Sequence, residues 1–248
     1  MLLDNSSVNL TQFLHKIIEK SLFQPAFELD KRSKKKLRSE LVSIAFNLIC
    51  EEHHFQTTAD FLGQLIESLH TGSLIIDDIQ DNSIERRSGP CVHIQYGVPL
   101  SINAGNWLYF STFHQIGRSH LLTEQQKFSC FQSINNVMYW AHIGQAIDIG
   151  AQIEFLSPSE TVQVCEKSLL LKSGYLAGLS FELGAIAAHA NSDTQKKMFD
   201  FGCQFGILLQ KFDDIGNARF DSLSVKKFED LLLMRPSWIW SCAHQFLS

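Results

Sequence analysis

Apolar residues return with a helical period over every long stretch of this chain, and that periodicity limits its fold more than any other feature. Leu62, Leu65, Ile66, Leu69, Ser73 and Ile76 stand at i, i+3, i+4, i+7 spacing, marking one face of a helix. The same pattern covers about 8–22, 34–52, 99–118, 123–153, 159–189 and 193–218, and 224–248 hold a further short helix or two. Only five prolines occur, at 25, 90, 99, 158 and 236, each beside a break in the period. Thr57 or Thr58 ahead of Asp60 supplies an N-cap, and a helix from there to Asn82 would be roughly 39 Å long. No β-branched runs are joined by Asn-Gly or Asp-Gly turns. The expected fold is all-α, a single bundle of long helices, with residues 1–248 forming one domain.

Composition removes several function classes. The chain is 45% hydrophobic with 19 Phe and 4 Trp, enough apolar surface to oppose disorder. Its 21 Lys and Arg against 26 Asp and Glu leave no basic excess for a broad nucleic-acid face. No unbroken apolar run approaches the ~18 residues of a membrane span. The opening MLLDNSSVNLTQF has neither a basic segment nor a continuous apolar core, so it does not read as a secretory signal. Six cysteines at 50, 91, 130, 165, 203 and 242 include no CxxC pair, which suits neither a disulfide framework nor a zinc site. Reduced thiols in a cytoplasmic protein are expected.

Two acidic clusters carry the chemistry. In residues 73–90, Asp77 and Asp81 are four apart on a helix, with Cβ atoms about 5–6 Å apart. Their repulsion would be relieved by a divalent ion with oxygen ligands, or simply by water at a frayed helix end. In residues 205–217, Gln210, Asp213, Asp214 and Asn217 share one face of an otherwise apolar helix, with Phe199, Cys203 and Gly206 on the same side. Four inward polar side chains call for a ligand or ion to satisfy them. Two such helices facing each other would form an acidic mouth over an apolar cavity. Cations lie nearby in sequence: Arg86 and Arg87, Lys34 to Lys36 with Arg38, Lys172, Lys226 and Lys227. Arg forks and Lys point charges suit phosphate oxygens, so a metal-bridged diphosphate fits; no GxxxxGK[ST] loop exists for a nucleotide.

With these residues in view, the chain resembles the trans-prenyl diphosphate synthases (polyprenyl synthetases), closest in type to the geranylgeranyl-forming members. The two aspartate-rich motifs read Asp77-Asp78-Ile79-Gln80-Asp81 and Asp213-Asp214-Ile215-Gly216-Asn217. Arg86-Arg87-Ser88-Gly89-Pro90 matches the arginine pair that follows the first motif. His93, Tyr96-Gly97, Asn103 to Phe110, Gly144-Gln145 with Asp148, and Lys172-Ser173-Gly174 continue the likeness over about 34–238. The resemblance implies the isoprenoid synthase fold, helices around a central apolar cavity, shortened here at the C-terminus. It implies a transferase that condenses an allylic diphosphate with isopentenyl diphosphate. Asp77, Asp81 and Asp213 would hold Mg2+, three ions with diphosphate bound, and with Lys172 would be the catalytic set. Arg86, Lys172, Ser173, Gln210 and Lys227 would bind the allylic diphosphate; Lys35, Arg38, His70 and Arg87 would bind isopentenyl diphosphate. His70 alone would read as a core histidine, but it lies on the cluster's face seven residues before Asp77. Gly72 and Ser73, small residues about one turn before Asp77, imply a C20 or longer product; Trp107, Tyr109 and Phe110 would supply a floor or plain core. A homodimer or higher oligomer is expected.

Three departures from the family pattern stand out. The first basic motif is Ser33-Lys34-Lys35-Lys36-Leu37-Arg38-Ser39, without the usual glycines; the later Gly-Lys loop reads Met234-Arg235; and family members continue past the position of Ser248. SWIWSCAHQFLS would expose Trp238, Trp240 and Phe246 unless a partner covers them. Alternative readings are a class I terpene cyclase or a transferase with another acceptor, which do not need Lys35, Arg38, His70 and Arg87, and a non-catalytic regulatory subunit, which does not need the aspartates.

Overall fold

The computed structural model describes residues 11–32, 36–50, 56–218 and 228–247. In chain order the helices are α1 (Gln12–Ile18), α2 (Gln24–Arg32), α3 (Leu37–Ile49), α4 (Gln56–Gln80), α5 (Val92–Tyr96) and α6 (Val98–Arg118), followed by α7 (Glu124–Gly150), α8 (Pro158–Leu169), α9 (Tyr175–Ala187), α10 (Ser192–Asn217), α11 (Glu229–Leu232) and α12 (Trp238–Leu247). Among the described residues there is no strand, only an isolated bridge between Glu85 and Pro90. The all-α expectation from periodicity is met. Single π-turns at Glu19–Phe23 and Leu170–Gly174 join α1 to α2 and α8 to α9.

Local chemistry sets the helix ends. Thr123 and Gln126 form a capping box at α7, Ser157 and Glu160 one at α8, where Pro158 is also pre-set for the first turn. The Asn191 side chain accepts the Thr194 N–H (2.9 Å) and starts α10. Helix α4 begins at Gln56, slightly ahead of the expected threonine cap.

The chain packs as two compact units, one within residues 1–36 and 67–114, the other within 37–66 and 115–248. In the first, Ala26, Leu29, Ile75, Val92, Ala104 and Leu108 are buried together, with Phe27, Leu74, Tyr96 and Trp107 at the margin. The Trp107 ring meets Phe27 edge-on, 5.9 Å apart at 89°. Helices α4 and α6 cross at backbone distance: a Cβ on Gly72 would lie 2.9 Å from the Gly105 carbonyl oxygen.

In the second unit α9 is the hub, with every residue from Ala177 to Phe181 and from Leu183 to Ala187 buried. Leu41 and Ala45 of α3 pack on Ala177 and Phe181, beside Met198 and Phe205 of α10. Gly206 lets α10 close on the turn before α9: a Cβ there would fall 2.5 Å from the Ser173 carbonyl oxygen. The continuous helical stretch Pro158–Ala187 has the length and apolar character of a membrane span, unlike the expectation from unbroken apolar runs alone. About 67% of its apolar window is buried, as suits a core helix.

Candidate active site

In the first unit the site grows from the end of α4. Asp81 N–H still donates to the Asp77 carbonyl (2.9 Å), so the two carboxylates keep their four-residue spacing on one face. Asn82 then turns left-handed (φ 52°), Ser83 N–H reaches back to the Asp78 carbonyl (3.0 Å) and Asn82 N–H to Ile79 (3.3 Å). This closes the helix in a Schellman motif and ends the aspartate cluster on fixed backbone.

A tight hairpin follows. Arg86 N–H donates to the Gly89 carbonyl (2.8 Å) and Gly89 N–H to Arg86 (3.3 Å), with Arg87 and Ser88 both left-handed at φ 53° and 59°. That is a type I′ turn built without its usual Asn or Gly. It returns Arg86 to the cluster: Nε donates to Asp78 Oδ1 (2.6 Å) and Nη2 to Asp77 Oδ2 (3.4 Å). Asp78 is fully buried, so the guanidinium supplies the charge its carboxylate needs. Arg32 braces the hairpin, donating to the Pro90 carbonyl (2.8 Å), Glu28 (2.8 Å) and Gln95 (3.0 Å). The Arg32 hydrogen bond holds the Glu28 carboxyl below its ordinary range.

Arg87 donates to the Leu29 carbonyl (3.0 Å). Burial works against its charge, while Glu67, Asp30 and Asp78 support it. His70 is half-buried on α4, and its carbonyl accepts the Ser73 hydroxyl (2.8 Å). Gly72 faces α6, where a Cβ would meet Tyr109 and Leu108 as well as Gly105. Burial, with Asp77 nearby, pushes the Tyr109 hydroxyl pKa up.

In the second unit the π-turn before α9 carries Lys172 and Ser173. Lys172 Nζ donates to Asp148 Oδ2 (2.5 Å), whose other oxygen accepts the Ser168 hydroxyl (2.9 Å). Ser173 Oγ donates to Gln210 Oε1 (2.8 Å), and Gln210 Nε2 donates to Asp214 Oδ1 (3.0 Å). Asp214 Oδ2 in turn accepts the Trp238 backbone N–H (2.8 Å). The two neighbouring aspartates therefore part company: Asp213 is reached by solvent, whereas Asp214 is buried. Burial raises both carboxyls above their ordinary values; Arg38 opposes this at Asp213, and Gln210 and the Trp238 N–H oppose it at Asp214, where Asp213 and Asp148 add repulsion.

The expected residues thus fall into local groups: Asp77 with Arg86, Ser173 with Gln210, and Arg38 with Asp213. Lys35 and Lys227, with Lys34 and Lys226, lie outside the described residues. Sequence reasoning gave no separate role to Asp78, Asp148 or Asp214. A lone carboxylate within Ala146-Ile147-Asp148-Ile149 was the available signal for Asp148.

The donor chemistry suits magnesium. Asp77, Asp81 and Asp213 offer only carboxylate oxygens, the ligands a small hard dication takes. Among the described residues no three His, Cys, Asp or Glu side chains converge on one point. Magnesium commonly takes one or two carboxylates and completes its shell with phosphate oxygens and water.

Comparison with known proteins agrees. The family model described as Polyprenyl synthetase matches residues 19–246. A geranylgeranyl diphosphate synthase of Sulfolobus acidocaldarius is 30% identical over 217 residues, spanning 85% of this chain and 63% of that protein. The chain thus spans less than two thirds of that curated relative's length. A crystal structure of a geranylgeranyl pyrophosphate synthase superposes with TM-score 0.77 at 18% identity, covering 92% of this chain and 70% of the other. The geranyltransferase of Helicobacter pylori, complexed with magnesium and isoprenyl diphosphate, gives TM-score 0.76 at 21% identity, covering 98% and 82%. The match over nearly the whole chain, on a fold shared with these enzymes and with both aspartate motifs in place, means that this protein belongs to the polyprenyl synthetase family.

Proposed function

We propose that this chain is a magnesium-dependent prenyltransferase that condenses an allylic diphosphate with isopentenyl diphosphate, forming geranylgeranyl diphosphate. The observation that carries the reading is the family match together with the aspartates of both motifs and the Arg86-Arg87 pair that follows the first. Asp77, Asp81 and Asp213 would hold Mg2+, three ions with substrate bound, which would neutralise the charge on the diphosphate. Arg86, Lys172, Ser173, Gln210 and Lys227 bind the same diphosphate and stabilise it as it leaves. Lys35, Arg38, His70 and Arg87 hold isopentenyl diphosphate in line with the allylic carbon, and that fixed approach supplies much of the acceleration. The departing diphosphate takes the proton, so no His/Asp base pair is required.

Several local contacts bear on these roles. Arg86 already pairs with Asp77 and Asp78, so substrate binding exchanges one anionic partner for another rather than desolvating a free cation. Lys172 likewise sits on Asp148. For product length, a side chain at 72 collides with α6, whereas Ser73 stays partly exposed. The active form is a homodimer or higher oligomer, working in the cytoplasm.

The deciding experiment incubates the purified chain with C5, C10 or C15 allylic diphosphates, isopentenyl diphosphate and Mg2+, then chromatographs the products. A C20 product from the C15 primer, lost in Asp77→Ala, is expected. Dominant C15 product refutes the chain-length assignment. Hydrocarbon formed from an allylic diphosphate alone identifies a cyclase instead, and no turnover with any primer identifies a non-catalytic subunit.

A further inference from the structure

We infer that Asp214 is a positioning residue, whose carboxylate ties the start of α12 to Gln210 and Ser173. The inference takes the identity of the ligand at Gln210 and Ser173 from the proposed function, but its geometry stands apart from that reading. Successive residues on a helix point about 100° apart. Asp213 therefore stays open to solvent while Asp214, only 4% exposed, turns towards the Trp238 N–H. Three hydrogen bonds then run in series, from Trp238 N–H through Asp214 and Gln210 to the Ser173 hydroxyl.

The start of α12 depends on this contact. Serine at the position before a helix ordinarily caps it with its own hydroxyl. Here Ser237 Oγ is buried and finds no hydrogen-bond partner among the described residues. The Asp214 carboxylate supplies the cap from 24 residues away, and Lys211, one turn before it, lies over the Trp238 ring at 5.4 Å. Helix α10 thus grips the first residue of α12 at two points.

The other end of the relay fixes an amide. A carboxylate can only accept, so Asp214 forces the NH2 end of Gln210 towards itself and the oxygen towards Ser173. The second N–H of that NH2 group is then available to a bound anion. Asparagine at 214 would separate the two tasks. Its oxygen can still cap Trp238, but its NH2 demands the oxygen of Gln210 and reverses that amide.

The test uses the full chain. Calorimetric titration with inorganic pyrophosphate and Mg2+ is run on wild type, Asp214→Asn, Asp214→Ala and Gln210→Ala, and on Gln210→Ala combined with each change at 214. Amide exchange at Trp238 is followed in the same variants. Asp214→Asn is expected to keep Trp238 protected yet weaken pyrophosphate about tenfold, the scale of one reoriented hydrogen bond to a charged group. In the Gln210→Ala background neither change at 214 should cost further affinity. Asp214→Ala should lose both the affinity and the protection. Asparagine binding pyrophosphate like wild type, or a full loss persisting without Gln210 as a direct metal ligand would give, overturns the inference. If wild type binds no pyrophosphate, the proposed function fails on its own. The inference is then decided by exchange alone: unchanged Trp238 protection in Asp214→Ala overturns it, and loss there with a smaller loss in Gln210→Ala sustains it.

Discussion

At the scale of single residues, charge pairing governs the first motif. The Asp78 side chain is 1% exposed and its guanidinium partner Arg86 16%. Removing Arg86 strands a buried carboxylate, so Arg86→Ala should lower unfolding free energy in urea by about 2–3 kcal/mol. Asp78→Asn added to it should restore at least half, because the stranded charge is then gone; simple additivity of the two changes would contradict the pairing. The aspartates and arginines of this motif were legible in the sequence because their spacing is local. The partner that Arg86 selects was not legible. It depends on a turn with Arg87 and Ser88 at positive φ, and neither residue type announces that conformation. Asp214 was hidden for a different reason, since its partner is the backbone of a residue far along the chain.

At the scale of elements, the glycines of α10 divide sharply. A side chain at Gly206 meets the backbone of Ser173, whereas nothing lies within 4 Å of a Cβ at Gly216. Gly206→Val should cost about 2–3 kcal/mol in urea unfolding, whereas Gly216→Ala should be neutral or gain up to about 1 kcal/mol from helix propensity. Equal effects at the two sites would mean that α9 and α10 do not meet as described. Helix α9 also carries Glu182, whose carboxyl is pushed up to about 7 from an ordinary 4.5, chiefly by burial, with Asp200 adding repulsion and the Ser133 hydroxyl (2.8 Å) opposing. The native state therefore holds this proton between about pH 4.5 and 7 while the unfolded chain releases it. Stability from this group is present below 4.5 and lost as pH rises through 7, by about 3 kcal/mol. Thermal melts of Glu182→Gln against wild type should diverge in favour of the variant between pH 5 and 8; parallel curves would refute the assignment. Helix existence and most boundaries were legible from period and caps. The π-turns were not, because a one-residue change of winding leaves no compositional trace.

At the scale of the whole molecule, the all-α class followed from periodicity, and none of the six cysteines, all among the described residues, is joined in a disulfide. Four of them, Cys91, Cys130, Cys165 and Cys203, are buried, and burial pushes the thiols of Cys130 and Cys203 up to about 12 and that of Cys165 to about 11. A thiol reagent at neutral pH should thus label Cys50 and Cys242 first and the other four only on unfolding; rapid labelling of all six would contradict the packing. The division into two compact units was not legible, because it cuts through the middle of α4 and near the end of α6, where no proline or linker marks it. The bulge at Leu170–Gly174 behaves as a single-residue insertion in an otherwise regular spiral. Winding these same residues as ordinary α-helix would swing everything downstream by about 100°. Because α9 is packed on all sides, no new facing would be tolerated. The widened turn is therefore a phase lock, keeping the hub's orientation in step with the lysine and serine that precede it.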